Sequence, residues 1–319
     1  MTEAPAANAA SPMHTEDTPP DARQSIVATG LTKRFGQLTA VSKLNLTVAG
    51  GEVVGFLGPN GAGKTTTIRM LLGFINPTAG RCSILGGSLR RDPGLRQRVG
   101  YLPGDFRMDP SMTGWDLFRW FGRLRGGMHR SRVKELIDRV SLDATRPFGA
   151  LSKGNRQKIG IVQAFQHDPE VLILDVPTSG LDPLIQREFL AMVRESADKG
   201  AAVLFSSHVL PEVERAASRV AFIRAGELVT VSSVDDLLDH MRHRLELRFA
   251  GPVPAHLFDG IPGVVQADVD GRTAIITIDG QAGPAMEAAV AGPGLLRVTS
   301  AGDDLEELFL GLYGQQEKN

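Results

Sequence analysis

Gly58-Pro59-Asn60-Gly61-Ala62-Gly63-Lys64-Thr65-Thr66 lies between an apolar run, Val53–Leu57, and a stretch with helical spacing that continues to about Leu72. A buried strand that runs into a glycine-rich loop and then a helix is an arrangement that cradles phosphates. The glycines let successive backbone N–H groups converge, and the helix N-terminus favours anions. Lys64 is placed to reach the β- and γ-phosphates of a nucleoside triphosphate, and the Thr65 hydroxyl to take a position on Mg2+. All nine residues, from Gly58 through Thr65 and Thr66, are therefore read as contacts to a bound triphosphate.

Around this loop are 319 residues with a net charge of −1. That length suits one large domain and a small one, and the charge gives no general attraction to nucleic acid. A single cysteine, Cys82, excludes an internal disulfide and a cysteine metal cluster and fits a reducing compartment. No apolar stretch approaches the roughly 20 residues that span a bilayer, and the N-terminus lacks the apolar core of a signal peptide. Membrane contact is then expected to come through a partner.

Residues 1–24 are rich in Ala, Pro, Thr, Asp and Glu and read as a disordered tail. Short β-branched runs follow at 26–29, 41–48 and 53–57, with Gly50-Gly51 as a hairpin signal between the last two. Strands are expected near 81–85 and 99–102, and residues of about 106–150 read as a helical insert. Thr113 can cap a helix there with Asp116 as its capping-box partner. Leu117, Phe121 and Leu124 share a stripe flanked by Phe118 and Trp120, and Trp115 is close by. This cluster reads either as internal packing or as an aromatic docking surface.

Strands and helices then alternate: a helix over 152–165, the strand Val171–Asp175, a helix over 184–197, a strand over 202–205, a short helix over 211–217, and strands at 220–223 and 228–231. Such alternation implies a mainly parallel sheet covered on both faces. Beyond about 241 a smaller α+β unit is expected, with strands at 245–249, 273–278 and 295–299 and helices at 284–290 and 304–312. The fold class is thus α/β, a phosphate-loop nucleotide-binding core over 25–240 with an antiparallel β subdomain and the helical insert, followed by the accessory unit over 241–319.

Further motifs surround the loop. Val171-Leu172-Ile173-Leu174-Asp175 is an apolar strand ending in a carboxylate, the geometry that holds Mg2+ through a water beside a triphosphate. Leu151-Ser152-Lys153-Gly154-Asn155 precedes a helix upstream of it. Pro177-Thr178-Ser179-Gly180-Leu181-Asp182 follows it directly, and His208 stands after Ser206-Ser207 at the end of the next strand.

Together these motifs resemble the ATP-binding subunit of ABC transporters over roughly residues 26–235. Within that family the resemblance is greatest to bacterial drug and antibiotic exporter ATPases whose permease is a separate chain. Asp304-Leu305-Glu306-Glu307-Leu308-Phe309, followed by Leu312-Tyr313-Gly314, is also similar to that group's C-terminal signature. The resemblance implies ATP and Mg2+ as cofactors, with Thr65 and Asp175 on the metal and Phe35 stacked on adenine, though Phe35 also reads as a core residue. Ser152 and Gly154 match the signature loop Leu-Ser-Gly-Gly-Gln, with Lys153 and Asn155 as departures. In the family this loop faces the ATP held by the opposite subunit, so a second copy of the chain is implied as a partner, along with a membrane permease and no nucleic acid. The implied location is the cytoplasmic face of the inner membrane, held there through the permease. His208 resembles the switch histidine on the γ-phosphate, and Asp182 would lie at the dimer seam.

Two departures bear on hydrolysis. The glutamine usual after the strand ending near Leu102 is absent, and Asp105 in Gly104-Asp105 is a candidate to contact Mg2+ or the attacking water. Val176 stands where the family has a glutamate that polarises that water, a general-base task that a hydrocarbon cannot perform. Hydrolysis is therefore expected to be impaired, while Mg·ATP is still bound. The competing readings are that Val176 merely extends the buried strand and that Asp105 or His208 orients the water. At the level of function, an exporter's energising subunit competes with an ATP-dependent regulatory dimerisation module of little turnover. A soluble ABC protein acting on ribosomes or DNA is disfavoured, since the chain has neither paired cassettes nor a long charged insert.

Overall fold

The computed structural model describes residues 24–239 and 242–300. The expected N-terminal tail, apart from Gln24, and the expected helix at 304–312 lie outside the described residues. The chain begins with β1 (Gln24–Phe35) and β2 (Leu38–Ala49), an antiparallel pair, then β3 (Val53–Leu57), α1 (Lys64–Leu71) and β4 (Ala79–Ile84), which pairs with the free side of β1. The turn of this pair is Gly36-Gln37, next to the Phe35–Leu38 register pair, and Gly36 takes φ +59° there.

Gly50-Gly51 proves to be a turn between sheets rather than a hairpin. β2 belongs to the three-stranded sheet and β3 to a six-stranded one. The Gly51 N–H donates to the carbonyls of Gly200 and Ala201 at 3.0 and 3.2 Å, so β3 is directed toward β7 instead of back along β2.

β5 (Val99–Leu102) is followed by the helical insert, α2 (Gly114–Leu124) and α3 (Arg130–Arg139), then α4 (Lys153–Phe165), β6 (Val171–Asp175), α5 (Pro183–Asp198), β7 (Ala202–Ser207), α6 (Leu210–Ala216), β8 (Arg219–Arg224), β9 (Glu227–Ser233) and α7 (Val234–Asp239). The central sheet runs β5-β6-β7-β3-β8-β9, all parallel except the β8–β9 pair. The central strands β3, β6 and β7 are buried along their whole length because both faces are covered, and alternation assigns each residue to a face. Val53, Leu57, Leu172, Leu174, Val203 and Phe205 join the core under α2 to α6. Val54, Phe56, Val171, Ile173, Ala202 and Leu204 join the core under α1 and the β1–β2–β4 sheet.

The helical insert packs by the Leu117 and Phe121 part of the stripe its spacing suggested, shifted toward Phe118 and away from Leu124. Leu117 and Phe118 are fully buried, whereas Trp120 and Leu124 are 47% and 57% exposed. Gly114 and Gly122 let the helix approach Ala144 and Met128 closely, which turns the 114/118/122 edge inward. Trp115 and Phe121 are half-buried against the same core. The capping box between Thr113 and Asp116 is present as expected. Arg139 on α3 ties the insert to α5 through Glu188 and Glu195.

The remaining elements are β10 (Arg242–Phe249), β11 (Val264–Asp270), β12 (Thr273–Asp279), α8 (Gly283–Ala291) and β13 (Leu295–Ser300). They form an antiparallel sheet ordered β11-β12-β10-β13. Its core of Leu247, Phe249, Phe258, Ala274, Ile276, Ile278, Ala285 and Ala289 is separate from the other two.

Candidate functional site

The phosphate loop leaves β3 at Leu57 and enters α1 at Lys64. Gly58, Gly61 and Gly63 take φ +159°, +82° and +109°, a succession open only to glycine in practice. At two of them space is closed as well. A Cβ on Gly63 would stand 2.6 Å from the Ala40 carbonyl oxygen, and one on Gly58 would strike the Ile223 carbonyl. Gly61 has open space around it. The loop is thus held between β8 and the start of β2 and opens on its far side. The Lys64 amine donates to the Gly58 and Pro59 carbonyl oxygens, the latter at 2.9 Å. Burial pushes this amine below the ordinary lysine range, and the Asp175 carboxylate partly offsets that.

Asp175 ends β6, 3% exposed, and both of its oxygens are engaged. Thr65 Oγ1 donates to Oδ2 at 2.9 Å and Ser206 Oγ donates to Oδ1 at 2.7 Å. Asp175 and Ser206 are register partners at the ends of β6 and β7, on the face that α1 covers. An amine, a hydroxyl and a carboxylate therefore gather at a loop that is closed to a Cβ at Gly58 and Gly63. This donor set, hard oxygens beside backbone N–H groups and a cation, fits a divalent metal and a polyphosphate. When bound, Mg2+ would be held by Thr65 and Asp175 and would neutralise phosphate charge.

Val176 does not extend the strand. β6 ends at Asp175, and Val176 is half-buried with φ +44°, a left-handed conformation that is an outlier for a β-branched residue. Its N–H donates to Ser206 Oγ at 3.0 Å. Asp105 is turned away onto Arg107, whose guanidinium donates to it at 2.7 Å and holds its carboxyl below the usual range. The adjacent Gly104 is the residue that lies against Asp175, its Cβ position 3.2 Å from the Asp175 carbonyl oxygen. Tyr101 on β5 is pushed up to about 12, first by burial and then by the Asp175 charge.

His208 is exposed, just past β7. Phe35 is 50% exposed at the tip of the β1–β2 hairpin, so it is no core residue, and the Lys33 amine stands 4.9 Å from its ring centre. Ser152 caps α4 by accepting the Asn155 N–H. Gly154 sits against the segment after β6, where a Cβ would come 2.5 Å from the Gly180 carbonyl oxygen. Lys153 donates to Ser179 at 2.8 Å in the same contact. Asp182 caps α5 with the N–H groups of Leu184 and Ile185.

The family model described as ABC transporter matches residues 41–179. The Nod factor export ATP-binding protein I of Burkholderia lata is 33% identical over 291 residues, 89% of this chain and 95% of that protein. The chain belongs to the ABC transporter ATP-binding family. The bacitracin transport ATP-binding protein BcrA of Bacillus licheniformis is 33% identical over 300 residues, 91% of this chain and 97% of its own length. A solved structure described as the ATP-binding subunit of an ABC transporter superposes with a TM-score of 0.63 at 29% identity, covering 66% of this chain and 91% of the other. A dimeric ATP-binding cassette bound to ADP and Pi superposes with a TM-score of 0.61 at 21% identity, over 66% of this chain and 98% of that one. This likeness shows the shared fold. The chain is accordingly an ABC ATPase, with ATP and Mg2+ as its cofactors.

Two residues of this ABC ATPase site escaped the sequence reading. Ser206 was visible only as a polar residue at a strand end, and its role depends on β6 and β7 being neighbours. Gln157 is buried on α4 and donates to the Pro177 carbonyl at 2.8 Å, anchoring the segment after β6. Its position one turn into the helix that Ser152 caps was the available signal.

Proposed function

We propose that this ABC ATPase is the energising subunit of an exporter, in which two copies close on two ATP and drive a separate membrane permease, with hydrolysis slowed by Val176. What supports it is the cluster of Lys64, Thr65 and Asp175 at the phosphate loop, with a valine at the position adjoining Asp175. Relatives named for bacitracin transport and Nod factor export support an exported substrate of the drug, antibiotic or lipid-like kind. In this reading Phe35 stacks on the adenine, and Ser152 and Gly154 face the partner copy's ATP. Asp182 lies at the seam, His208 senses the γ-phosphate, and the subunit sits on the cytoplasmic face of the membrane through its permease. No helix among the described residues is long and apolar enough to cross a membrane.

Residues 25–240 are the ATPase domain in this proposal, and 241–319 are an accessory unit dispensable for nucleotide binding, since its described core is its own. The test is ATP turnover and dimerisation by the purified chain with its permease. Slow turnover with a long-lived ATP dimer supports the proposal, and failure to dimerise with Mg·ATP overturns it. Val176 also favours a second reading, a regulatory module that dimerises on ATP. Transport by the reconstituted pair separates the two.

A further inference from the structure

We propose that Ser206 is a positioning residue that sets which oxygen of Asp175 meets Mg2+, an inference that rests on the reading of this site as a Mg·ATP centre. The Ser206 side chain is fully buried and lies between two groups of opposite hydrogen-bonding character. On one side is the Val176 N–H, 3.0 Å away, which can only donate. On the other is Asp175 Oδ1, 2.7 Å away. Because the amide must use an acceptor lone pair, the single hydroxyl proton of Ser206 has to point at the carboxylate, and the direction of both bonds is fixed without reference to any ligand.

Two consequences follow. Both oxygens accept a hydroxyl, but the Ser206 proton on Oδ1 is fixed in direction, whereas the donor on Oδ2, Thr65 at 2.9 Å, is itself a candidate metal ligand and can turn its proton aside, so Oδ2 is the oxygen that can open to the metal. The same hydroxyl also holds the peptide after Asp175 in place, with Val176 at φ +44°, a conformation that the valine would not choose by itself. Ser206 thereby couples the metal-facing carboxylate to the backbone of position 176 through one atom. It acts through Asp175, as partners of metal ligands commonly do, and their removal typically costs 10–100-fold in metal affinity.

The experiment is equilibrium titration of the full chain with fluorescently labelled ATP, with Mg2+ and with the metal chelated, for the unmodified chain, Ser206→Ala and Ser206→Thr. The ratio of the two affinities is formed within each variant, so any unfolded fraction cancels. The expected result is that Ser206→Ala lowers this ratio by about tenfold while metal-free affinity stays within about twofold, and that Ser206→Thr, which keeps the hydroxyl, restores most of it. Mn2+ replacing Mg2+ should report the same loss in its electron paramagnetic resonance spectrum, as weaker capture of the ion in Ser206→Ala. If Ser206→Ala lowers the melting temperature but leaves the ratio unchanged, the hydroxyl merely satisfies buried groups and the proposal is overturned. An unmodified chain that binds ATP equally with and without Mg2+ would remove the reading of the site itself.

Discussion

The Thr65 hydroxyl donates to Asp175 Oδ2 at 2.9 Å, joining the first turn of α1 to the end of β6 across 110 positions of sequence. The bond preassembles the two groups that must share a metal, with the Thr65 lone pairs still free. Thr65→Val keeps the shape and removes the oxygen. Metal-free ATP should still bind through Lys64 and the loop amides, whereas Mg2+-dependent affinity should fall about 10- to 100-fold. Buried Asp175 also loses a donor, so thermal unfolding should report a loss of about 1–2 kcal/mol. Unchanged Mg2+ dependence would place the metal elsewhere.

Lys64 gives the site a pH dependence with a definite sign. Its protonated amine is the form that attracts phosphate, and burial lowers its affinity for that proton. As pH rises, ATP affinity should decline at a lower pH than an ordinary lysine would give. Lys64→Ala should weaken binding severely, by 10²-fold or more, and flatten that alkaline decline, because charge-assisted bonds to phosphate are lost. Titration with labelled ATP between neutral and alkaline pH checks both. An affinity that Lys64→Ala leaves intact would mean the loop does not hold the phosphates.

The helical insert separates packing from surface in adjacent residues. Phe118 is wholly buried and Phe118→Ala should cost about 3–5 kcal/mol in unfolding experiments. Trp120 and Leu124 are exposed, flanked by Arg119 and Arg123, and Trp120→Ala should leave stability and ATP binding almost unchanged. A crosslinker at position 120 should capture the permease in membranes. Crosslinks confined to the chain itself would reject the docking surface.

What was legible in the sequence was whatever short-range chemistry dictates. The limits of β3, β5 and β6 were readable because a short, mostly apolar run bounded by a charge, a glycine or a proline leaves little choice, and the phosphate loop because its glycines and lysine have one common arrangement. What escaped depended on neighbours distant in sequence. Gly50-Gly51 carries hairpin chemistry, yet the pairing of β3 with β7 decides where the chain goes. The buried edge of α2 was read only in part because glycines at 114 and 122, not large side chains, mark where the helix is closest to its neighbours. β11, with polar residues on its exposed face and one apolar side inward, gave too weak an alternation to stand out. The partners of Asp175 could not be named before β6 and β7 were known to be adjacent, and Arg107's hold on Asp105 involves two exposed side chains that no pattern specifies.

Position 176 allows backbone and chemistry to be tested apart. A β-branched residue in the left-handed region costs about 1–2 kcal/mol, and glycine would recover that, less about 0.4–1 kcal/mol of added freedom in the unfolded chain. The half-buried valine side chain that is lost offsets part of this, so Val176→Gly should shift stability by no more than roughly 1 kcal/mol in either direction and should add no turnover. Val176→Glu places a carboxylate next to Asp175 without disturbing the Ser206 bond, which uses only the backbone N–H. If a missing general base limits hydrolysis, it should raise the rate with the permease present by about 10²-fold or more, and Val176→Gln, of the same shape, should not. The glycine and glutamine variants thus separate relief of strain and side-chain shape from proton abstraction. An unmodified chain that already turns over at an ordinary transporter rate, with nothing gained from the glutamate, would assign the water to another group. His208 would be the first candidate, because Asp105 would have to leave Arg107 to serve.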